Sequence, residues 1–172
     1  MIDRGGSGPT DPLRYRPRRY DVRIASSTRD GGPPVKSMTY VSTAAEPFGD
    51  AEVRELLRHS RENNTRLGLT GMLLFKGDQF MQVLEGEDEQ VHALYDIITA
   101  DSRHKDVRTL LSSPITRRQF SEWSMGYQAI SDDSLREIPG YDDFLDSAGR
   151  RRPWDDPTKA QWLLDWFRTH SV

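Results

Sequence analysis

The spacing of apolar side chains in the middle of the chain switches between a strand period and a helix period, which predicts the elements of one folded domain. Short apolar stretches rich in β-branched and aromatic residues indicate five strands, at residues 37–42, 69–75, 79–84, 107–115 and 123–128. Apolar residues at helical spacing predict one helix from Asp50, an expected N-cap, to about Asn64, and another over residues 88–100.

The order of these elements, β-α-β-β-α-β followed by one more strand, is the split βαβ pattern of ferredoxin-like folds. We therefore predict an α+β domain in which two helices cover one face of a mixed sheet. Beyond residue 131 we expect a short helix between residues 134 and 145 and an amphipathic helix over 158–170. These helices should pack on the opposite sheet face, with the Trp162/Trp166 stripe buried there or presented to a partner.

Composition divides the chain into three parts. Residues 1–35 contain ten Gly or Pro residues and the basic cluster Arg14-Tyr15-Arg16-Pro17-Arg18-Arg19-Tyr20. Such a segment buries too little apolar surface to offset the entropy of ordering it. We predict a flexible basic extension over 1–35, a ligand-binding domain over 36–131 and a helical extension over 132–172. The basic cluster could touch nucleic acid, although a solubilising extension is the simpler interpretation.

Charge and residue usage exclude several classes of function. The net charge is −3, and residues 1–36 hold eight Lys/Arg against four Asp, so the domain itself is acidic and not a nucleic-acid-binding surface. The absence of cysteine excludes disulfides and thiolate metal sites, and no histidine lies at a metal-ligand spacing, so no metal is expected. With no apolar run near the roughly 20 residues of a membrane span and no signal peptide, we expect a cytoplasmic protein with no membrane contact.

Two polar side chains interrupt apolar strands and give the strongest indication of chemistry. Tyr40 lies within residues 37–42, and Gln82 interrupts the apolar run 80–84. A buried phenol and a buried carboxamide each need a hydrogen-bond partner, so two of them in one sheet indicate a polar ligand in the core.

Two further polar residues, Asn64 and Asp101, end the apolar stripes of the predicted helices. Each has a simpler explanation when taken alone, because Asn64 could cap its helix and Asp101 could cap or salt-bridge the segment 102–105. Together with the two strand residues, they would surround a cleft between Leu56 and Ile98 that could hold a flat heteroaromatic ring with polar edges.

Six segments in order match one known pattern: Tyr40-Val41-Ser42, Ser60-Arg61-Glu62-Asn63-Asn64, Leu69-Thr70-Gly71, Phe80-Met81-Gln82-Val83-Leu84-Glu85-Gly86, Asp101-Ser102-Arg103-His104 and Phe120-Ser121-Glu122-Trp123-Ser124-Met125. Through them the chain resembles the BLUF family, blue-light sensors that use flavin. The resemblance covers residues 37 to about 130. It implies that Tyr40 is the redox-active tyrosine, that Gln82 bridges it to the flavin, and that Asn64 binds the ring edge between the clamping residues Leu56 and Ile98.

The resemblance also implies less specific roles. Near the pyrimidine edge and the ribityl-phosphate side it places Asn63, Asp101, Arg103 and His104. Beside the Tyr–Gln pair it places Ser42, Trp123 and Met125. Because Trp123, Met125 and Tyr127 alternate in the sequence, we expect them on one face of the last strand, where they would either exchange places against the glutamine or simply form packed core.

The implied function is a photoreceptor rather than an enzyme. Light-driven electron and proton transfer from Tyr40 through Gln82 would rearrange the hydrogen bonds around a non-covalently bound flavin, by rotation or tautomerisation of the amide. FAD is the usual cofactor of the family, although FMN or riboflavin could fill the same ring site. The signal would pass to a separate downstream partner protein, and a homo-oligomer is expected.

Two other classes stay open on the residues alone. An acylphosphatase-like or monooxygenase-like enzyme could use the same scaffold, but the loop 43–49 is poor in glycine and carries a carboxylate, which disfavours a phosphate site. A non-photosensory binding module would contact nucleic acid through the basic tail. The colour of the purified protein separates the photoreceptor from both.

Overall fold

A computed structural model describes residues 35–131, 133, 134, 138 and 157–170 of the chain. The strands are β1 (Val35–Ala44), β2 (Thr70–Lys76), β3 (Gln79–Glu87), β4 (His104–Ile115) and β5 (Gly126–Ala129), and the helices are α1 (Asp50–Leu67), α2 (Asp88–Ala100) and α3 (Pro157–His170). The predicted β-α-β-β-α-β order with a further strand is confirmed. None of the described helices is long and apolar enough to cross a membrane.

The five strands form one sheet in the order β4-β1-β3-β2-β5. Every neighbouring pair is antiparallel except β2 and β5, which are parallel, so the sheet is mixed as predicted. Strands β1 and β3 lie near the centre, and Tyr40 directly faces Gln82 across that pair. The register of β1 against the edge strand β4 shifts between Thr39 and Tyr40, and such irregularities re-aim side chains beside functional sites.

The two helices between strands differ in how well their ends were predicted. Helix α1 has Gly49 as its N-cap, with no side-chain cap bond, so the prediction of Asp50 as the cap is wrong; Asp50 is the first helical residue, where its charge complements the helix dipole. The helix also continues past Asn64 to Leu67, because Gly68 adopts a left-handed conformation (φ 66°) that closes it. Helix α2 spans the predicted residues 88–100.

Strand alternation divides the core into two clusters, one on each face of the sheet. The site-face cluster lies under α1 and α2 and includes Met38, Tyr40, Leu57, Leu73, Phe80, Leu84, Val91 and Met125. The far-face cluster includes Val41, Met72, Leu74, Met81, Val83, Phe120, Leu163, Leu164 and Phe167. Because the far-face cluster contains four buried residues of α3, Ala160, Leu163, Leu164 and Phe167, this helix covers the sheet face opposite α1 and α2, as predicted.

Of the two alternatives for the Trp162/Trp166 stripe of α3, burial of both tryptophans is wrong. Leu163 and Phe167 are buried in the far-face cluster, whereas Trp162 is 40% exposed and Trp166 is only partly buried. The short helix predicted between residues 134 and 145 lies almost wholly outside the described residues. The last strand is shorter than the predicted 123–128, since regular pairing with β2 begins only at Gly126.

Candidate functional site

The centre of the candidate site is a hydrogen bond between the two polar residues that interrupt β1 and β3. The Tyr40 hydroxyl donates to Oε1 of Gln82, and both side chains are buried. Directly opposed residues of an antiparallel pair project to the same face, which explains why the two side chains meet. The other end of the carboxamide, Nε2, lies 3.7 Å from the sulfur of Met125. Gln82 therefore has one strong partner and one weak one.

The surroundings of Tyr40 keep its phenol protonated. Burial raises the pKa of the Tyr40 hydroxyl far above its ordinary value, and nearby Tyr95 and Asp101 raise it further. The Tyr95 ring lies edge-on with its centroid 5.4 Å from that of Tyr40, and its hydroxyl accepts a hydrogen bond of 2.9 Å from Thr109. Tyr95 lies within the predicted helix 88–100, but nothing in the helical pattern identified it as a neighbour of Tyr40.

Helix α1 holds the segment that leads into β5. The side-chain amide of Asn64 donates to the Ser124 carbonyl at 2.6 Å, and Nε of Arg61 donates to the Met125 carbonyl at 3.0 Å. Asn64 is buried and its side chain does not cap its own helix, so that simpler interpretation is wrong. The contact of Arg61 with the Met125 carbonyl was not predicted, because the sequence does not show which group an exposed arginine on a helix will bind.

Met125 and Trp123 lie on different faces of the sheet, so the prediction that they share one face is wrong. Met125 belongs to the site-face cluster and contacts Gln82, whereas Trp123 packs against the far-face cluster, with its ring centroid 6.0 Å from that of Phe120. A Cβ on Gly126 would lie 2.5 Å from the Trp123 ring, so the indole lies directly over that glycine. Trp123 precedes the part of β5 that pairs with β2, and side chains alternate between the two faces only within the paired part.

At the end of α2, the predicted residues Asp101, Arg103 and His104 form a local network. Both carboxylate oxygens of Asp101 accept hydrogen bonds from the Arg103 guanidinium, and the Arg103 backbone N–H donates to Oδ1 at 2.9 Å. Burial alone would raise the pKa of Asp101, but these bonds outweigh it and hold that pKa below its ordinary value. The salt bridge within the segment 101–105, considered from the sequence, is therefore confirmed.

The remaining predicted residues lie around this core. Nδ1 of His104 shares a 2.8 Å hydrogen bond with the Ser42 hydroxyl, and burial lowers the pKa of the imidazole, with Arg103 adding to the shift and Asp101 opposing it. The Ser42 hydroxyl therefore contacts His104 on β4, the strand beside β1, rather than Gln82. Asn63 is half-buried and accepts a 3.0 Å hydrogen bond from Arg66 on its own helix.

The donor set and its apolar flanks fit a flat ring with polar edges. Leu56 of α1 and Ile98 of α2 both pack against the site-face cluster, yet both remain half-buried. A planar apolar surface between the two helices would complete their burial. Beneath them, Tyr40 and Gln82 supply buried phenol and amide groups, which can pair with the nitrogen and carbonyl positions on a ring edge.

Comparison with known proteins identifies a family for this region. Residues 35–126 match the family described as BLUF, sensors of blue-light using FAD. The chain is 31% identical over 121 residues to photoactivated adenylate cyclase subunit beta of Euglena longa, an alignment that covers 70% of this chain and 14% of the relative. It is 35% identical over 74 residues to the blue light- and temperature-regulated antirepressor BluF of Escherichia coli (strain K12), covering 43% of this chain and 18% of the relative. The chain thus spans only a small part of these relatives.

Solved structures give the same fold. The dark-state structure of BlrB, a BLUF protein, matches with a TM-score of 0.62 and 31% identity, covering 78% of this chain and 98% of that chain. A bacterial light-regulated adenylyl cyclase matches with a TM-score of 0.54 and 28% identity, covering 79% of this chain and 34% of that one.

Proposed function

The chain belongs to the BLUF family of blue-light sensors that use FAD, and from this premise we propose that Tyr40 and Gln82 are its photoactive pair. The observation that carries the proposal is the buried hydrogen bond from the Tyr40 hydroxyl to Oε1 of Gln82, below the two half-buried residues Leu56 and Ile98. Beyond a light-absorbing ring that takes the electron, proton transfer between a phenol and a carboxamide needs no further side chain.

FAD, when bound, supplies a ring that absorbs blue light and becomes a strong oxidant on excitation. Once Tyr40 has given an electron to that ring, its phenol O–H would be strongly acidic, and its proton would move to the Gln82 oxygen that it already contacts. When Tyr40 regains the electron from the ring, the proton would return to the Tyr40 oxygen. A carboxamide both donates and accepts, and return of the proton can leave it rotated or in its other tautomer. Among the described residues, the Gln82 Nε2 group contacts the Met125 sulfur alone, at 3.7 Å, so rotation of the amide breaks one weak contact with the protein.

We also propose the binding roles of the surrounding residues. Leu56 and Ile98 cover the two faces of the ring, and the carboxamide oxygen of Asn64, which its bond to Ser124 does not use, accepts an N–H from the ring edge. Four residues lie toward the pyrimidine edge and the ribityl-phosphate side: Asn63, Asp101, Arg103 and His104. FMN or riboflavin would use the same ring contacts.

The exit of the signal from the pocket begins at Met125. When the Gln82 amide rearranges, the contact between Nε2 and the Met125 sulfur is lost, and this removes one of the contacts that hold the segment 123–126 in place. A cleft of about 440 Å³ lined by Trp123, Met125 and Tyr127, among others, lies beside this segment and leaves room for an exchange of side chains. Trp123 lies on the far face, so in such an exchange its side chain must pass around the edge of the sheet to reach Gln82. Ser42 would influence the Tyr–Gln pair only indirectly, through its hydrogen bond to His104.

For the output we propose light-dependent contact with a separate partner protein, in a cytoplasmic homo-oligomer without enzymatic activity of its own. Residues 36–131 form the flavin-binding domain of this proposal and 132–172 its output extension. Exposed Trp162 on α3 supports a contact surface there. Deletion of residues 150–172 should abolish light-dependent partner binding; unchanged folding and unchanged binding would contradict the proposal.

The test of the photoactive pair is the visible absorption spectrum of the purified protein before and after a blue flash. We expect a flavin band that shifts slightly to the red without bleaching and recovers in the dark. A flavin band that bleaches or does not respond would mean that the Tyr40–Gln82 pair does not work as proposed. Absence of flavin after reconstitution with FAD would refute the binding site itself.

A further inference from the structure

The photoactive strand β3 carries a second buried polar group, Glu85, on the opposite sheet face. Its side chain is fully buried, and Oε2 accepts hydrogen bonds from the backbone N–H groups of Gln119 (2.8 Å) and Phe120 (3.0 Å). No described residue hydrogen-bonds to Oε1. A buried carboxyl is costly in an apolar core, so its presence calls for a specific reason.

Among the described residues, Glu85 has no ion-pair partner within salt-bridge distance. Its cross-strand partners are Ser37 on β1 and Thr70 on β2, and the Thr70 hydroxyl is also buried without a partner among the described residues. Burial raises the pKa of Glu85, although the two backbone bonds, the charge of Arg118 and the Ser37 hydroxyl work against that shift. The two N–H groups are therefore the main contacts of the carboxyl.

Those contacts connect the photoactive strand to α3. Gln82 and Glu85 are three residues apart on β3, so their side chains project to opposite faces. Phe120, whose backbone N–H donates to Glu85, is buried in the far-face cluster with Leu163 and Phe167 of α3. The side chain of Gln119 also accepts a 3.2 Å hydrogen bond from Gln161 on the same helix.

We infer that Glu85 is a positioning residue that transmits light-driven movement of β3 to α3. It does so through its hydrogen bonds to the backbone N–H groups of residues 119 and 120. When β3 moves, these hydrogen bonds displace residues 119 and 120, and that displacement changes the packing of Phe120 against α3. The inference rests on the proposed photoactive role of Gln82. Transmission through Glu85 differs from the loss of the Gln82–Met125 contact, because it starts from movement of the β3 backbone and reaches the opposite face of the sheet.

Three variants, each loaded with FAD, isolate the role of the carboxyl. Glu85→Leu keeps the apolar bulk but cannot accept the two backbone bonds. Glu85→Gln keeps an acceptor oxygen, and its amide can donate to the unpartnered Thr70 hydroxyl. Thr70→Val is the matched control, because it alters the neighbouring buried side chain and leaves the bonds to residues 119 and 120 intact.

The readouts are the flash-induced red shift and the light-minus-dark hydrogen exchange of α3, followed by mass spectrometry. We expect all variants to keep the red shift, Glu85→Leu to lose the light response of α3, and Glu85→Gln and Thr70→Val to retain it. A purely structural role would lower the Tm of Glu85→Leu but leave its light-minus-dark difference in α3 unchanged, and that result would overturn the inference alone. Absence of a red shift in the wild type would refute the proposed function, and the inference with it.

The wild type provides a second test that does not depend on whether Glu85→Leu folds. If Glu85 transmits the movement, the backbone amides of Gln119 and Phe120 that it binds should exchange at different rates in light and in darkness. Equal rates in both conditions, in protein that shows the red shift, would overturn the inference.

Discussion

Replacing one of two adjacent tyrosines tests the photoactive role of Tyr40 with a control built into the site. Tyr40→Phe removes only the hydroxyl that donates to Gln82 and keeps the buried ring. Tyr95→Phe makes the same chemical change 5.4 Å away, in a ring whose hydroxyl accepts a bond from Thr109 near the surface. Only the first change should affect the photocycle.

The structure sets the size of the stability effect. Gln82 is only 8% exposed, and without the Tyr40 hydroxyl its Oε1 is left buried with no strong donor, a loss worth about 1–3 kcal/mol. The ring stays in place, so its apolar burial and its edge contact with Tyr95 do not change. Tyr95→Phe leaves no fully buried group unpaired, and its cost should be about 0.5–1.5 kcal/mol or less.

The assay combines flash absorption spectroscopy of the FAD-loaded proteins with urea unfolding in the dark. Tyr40→Phe should bind flavin, show no red-shifted state and unfold at a lower urea concentration. Tyr95→Phe should keep a red shift and recovery close to those of the wild type. A normal photocycle in Tyr40→Phe, or loss of the photocycle in Tyr95→Phe alone, would refute the assignment.

Four further predictions follow from other parts of the structure. Gln82→Ala should bind flavin but lose the red-shifted state in flash spectroscopy, since it removes the carboxamide that accepts the hydrogen bond of the Tyr40 phenol; a normal shift would exclude Gln82 from the mechanism. Asn64→Ala should weaken flavin binding by about 1 kcal/mol or more, a roughly fivefold or larger rise in Kd by titration, or move the dark spectrum. Burial lowers the pKa of His104 in the folded state, so the unfolded chain binds more protons as the pH falls through the ordinary histidine pKa. The contribution of His104 to stability should therefore fall as the pH is lowered from about 7.5 to about 5.5, by at most about 1.4 kcal/mol per pH unit. Urea unfolding of His104→Gln should show a smaller pH dependence than the wild type, and an equal slope would contradict this. Leu163→Ala should cost about 2–5 kcal/mol of unfolding free energy, whereas Trp162→Ala, at an exposed position of the same helix, should cost far less.

Much of the fold could be predicted because its signals are local. The apolar period located every strand and helix of the domain, and α2 was predicted to the residue, because an amphipathic helix between two strands carries its own pattern. The ends of α1 were less predictable. Its C-terminus depends on the left-handed conformation of Gly68, and helical periodicity does not reveal at which turn a glycine will close the helix.

The sequence alone determined which residues carry the chemistry: a phenol and a carboxamide in apolar strands are visible without coordinates, because buried polar groups need partners. Only the tertiary structure decided how the neighbours are arranged. It placed Trp123 on the far face, because strand alternation holds only where a strand is paired, and β5 pairs from Gly126 onward. It also brought Arg61 to the Met125 carbonyl and Glu85 to the backbone of residues 119 and 120. These contacts join residues far apart in the chain through backbone groups, and a backbone group has the same chemistry at nearly every position, so the sequence leaves no trace of which one will be bound.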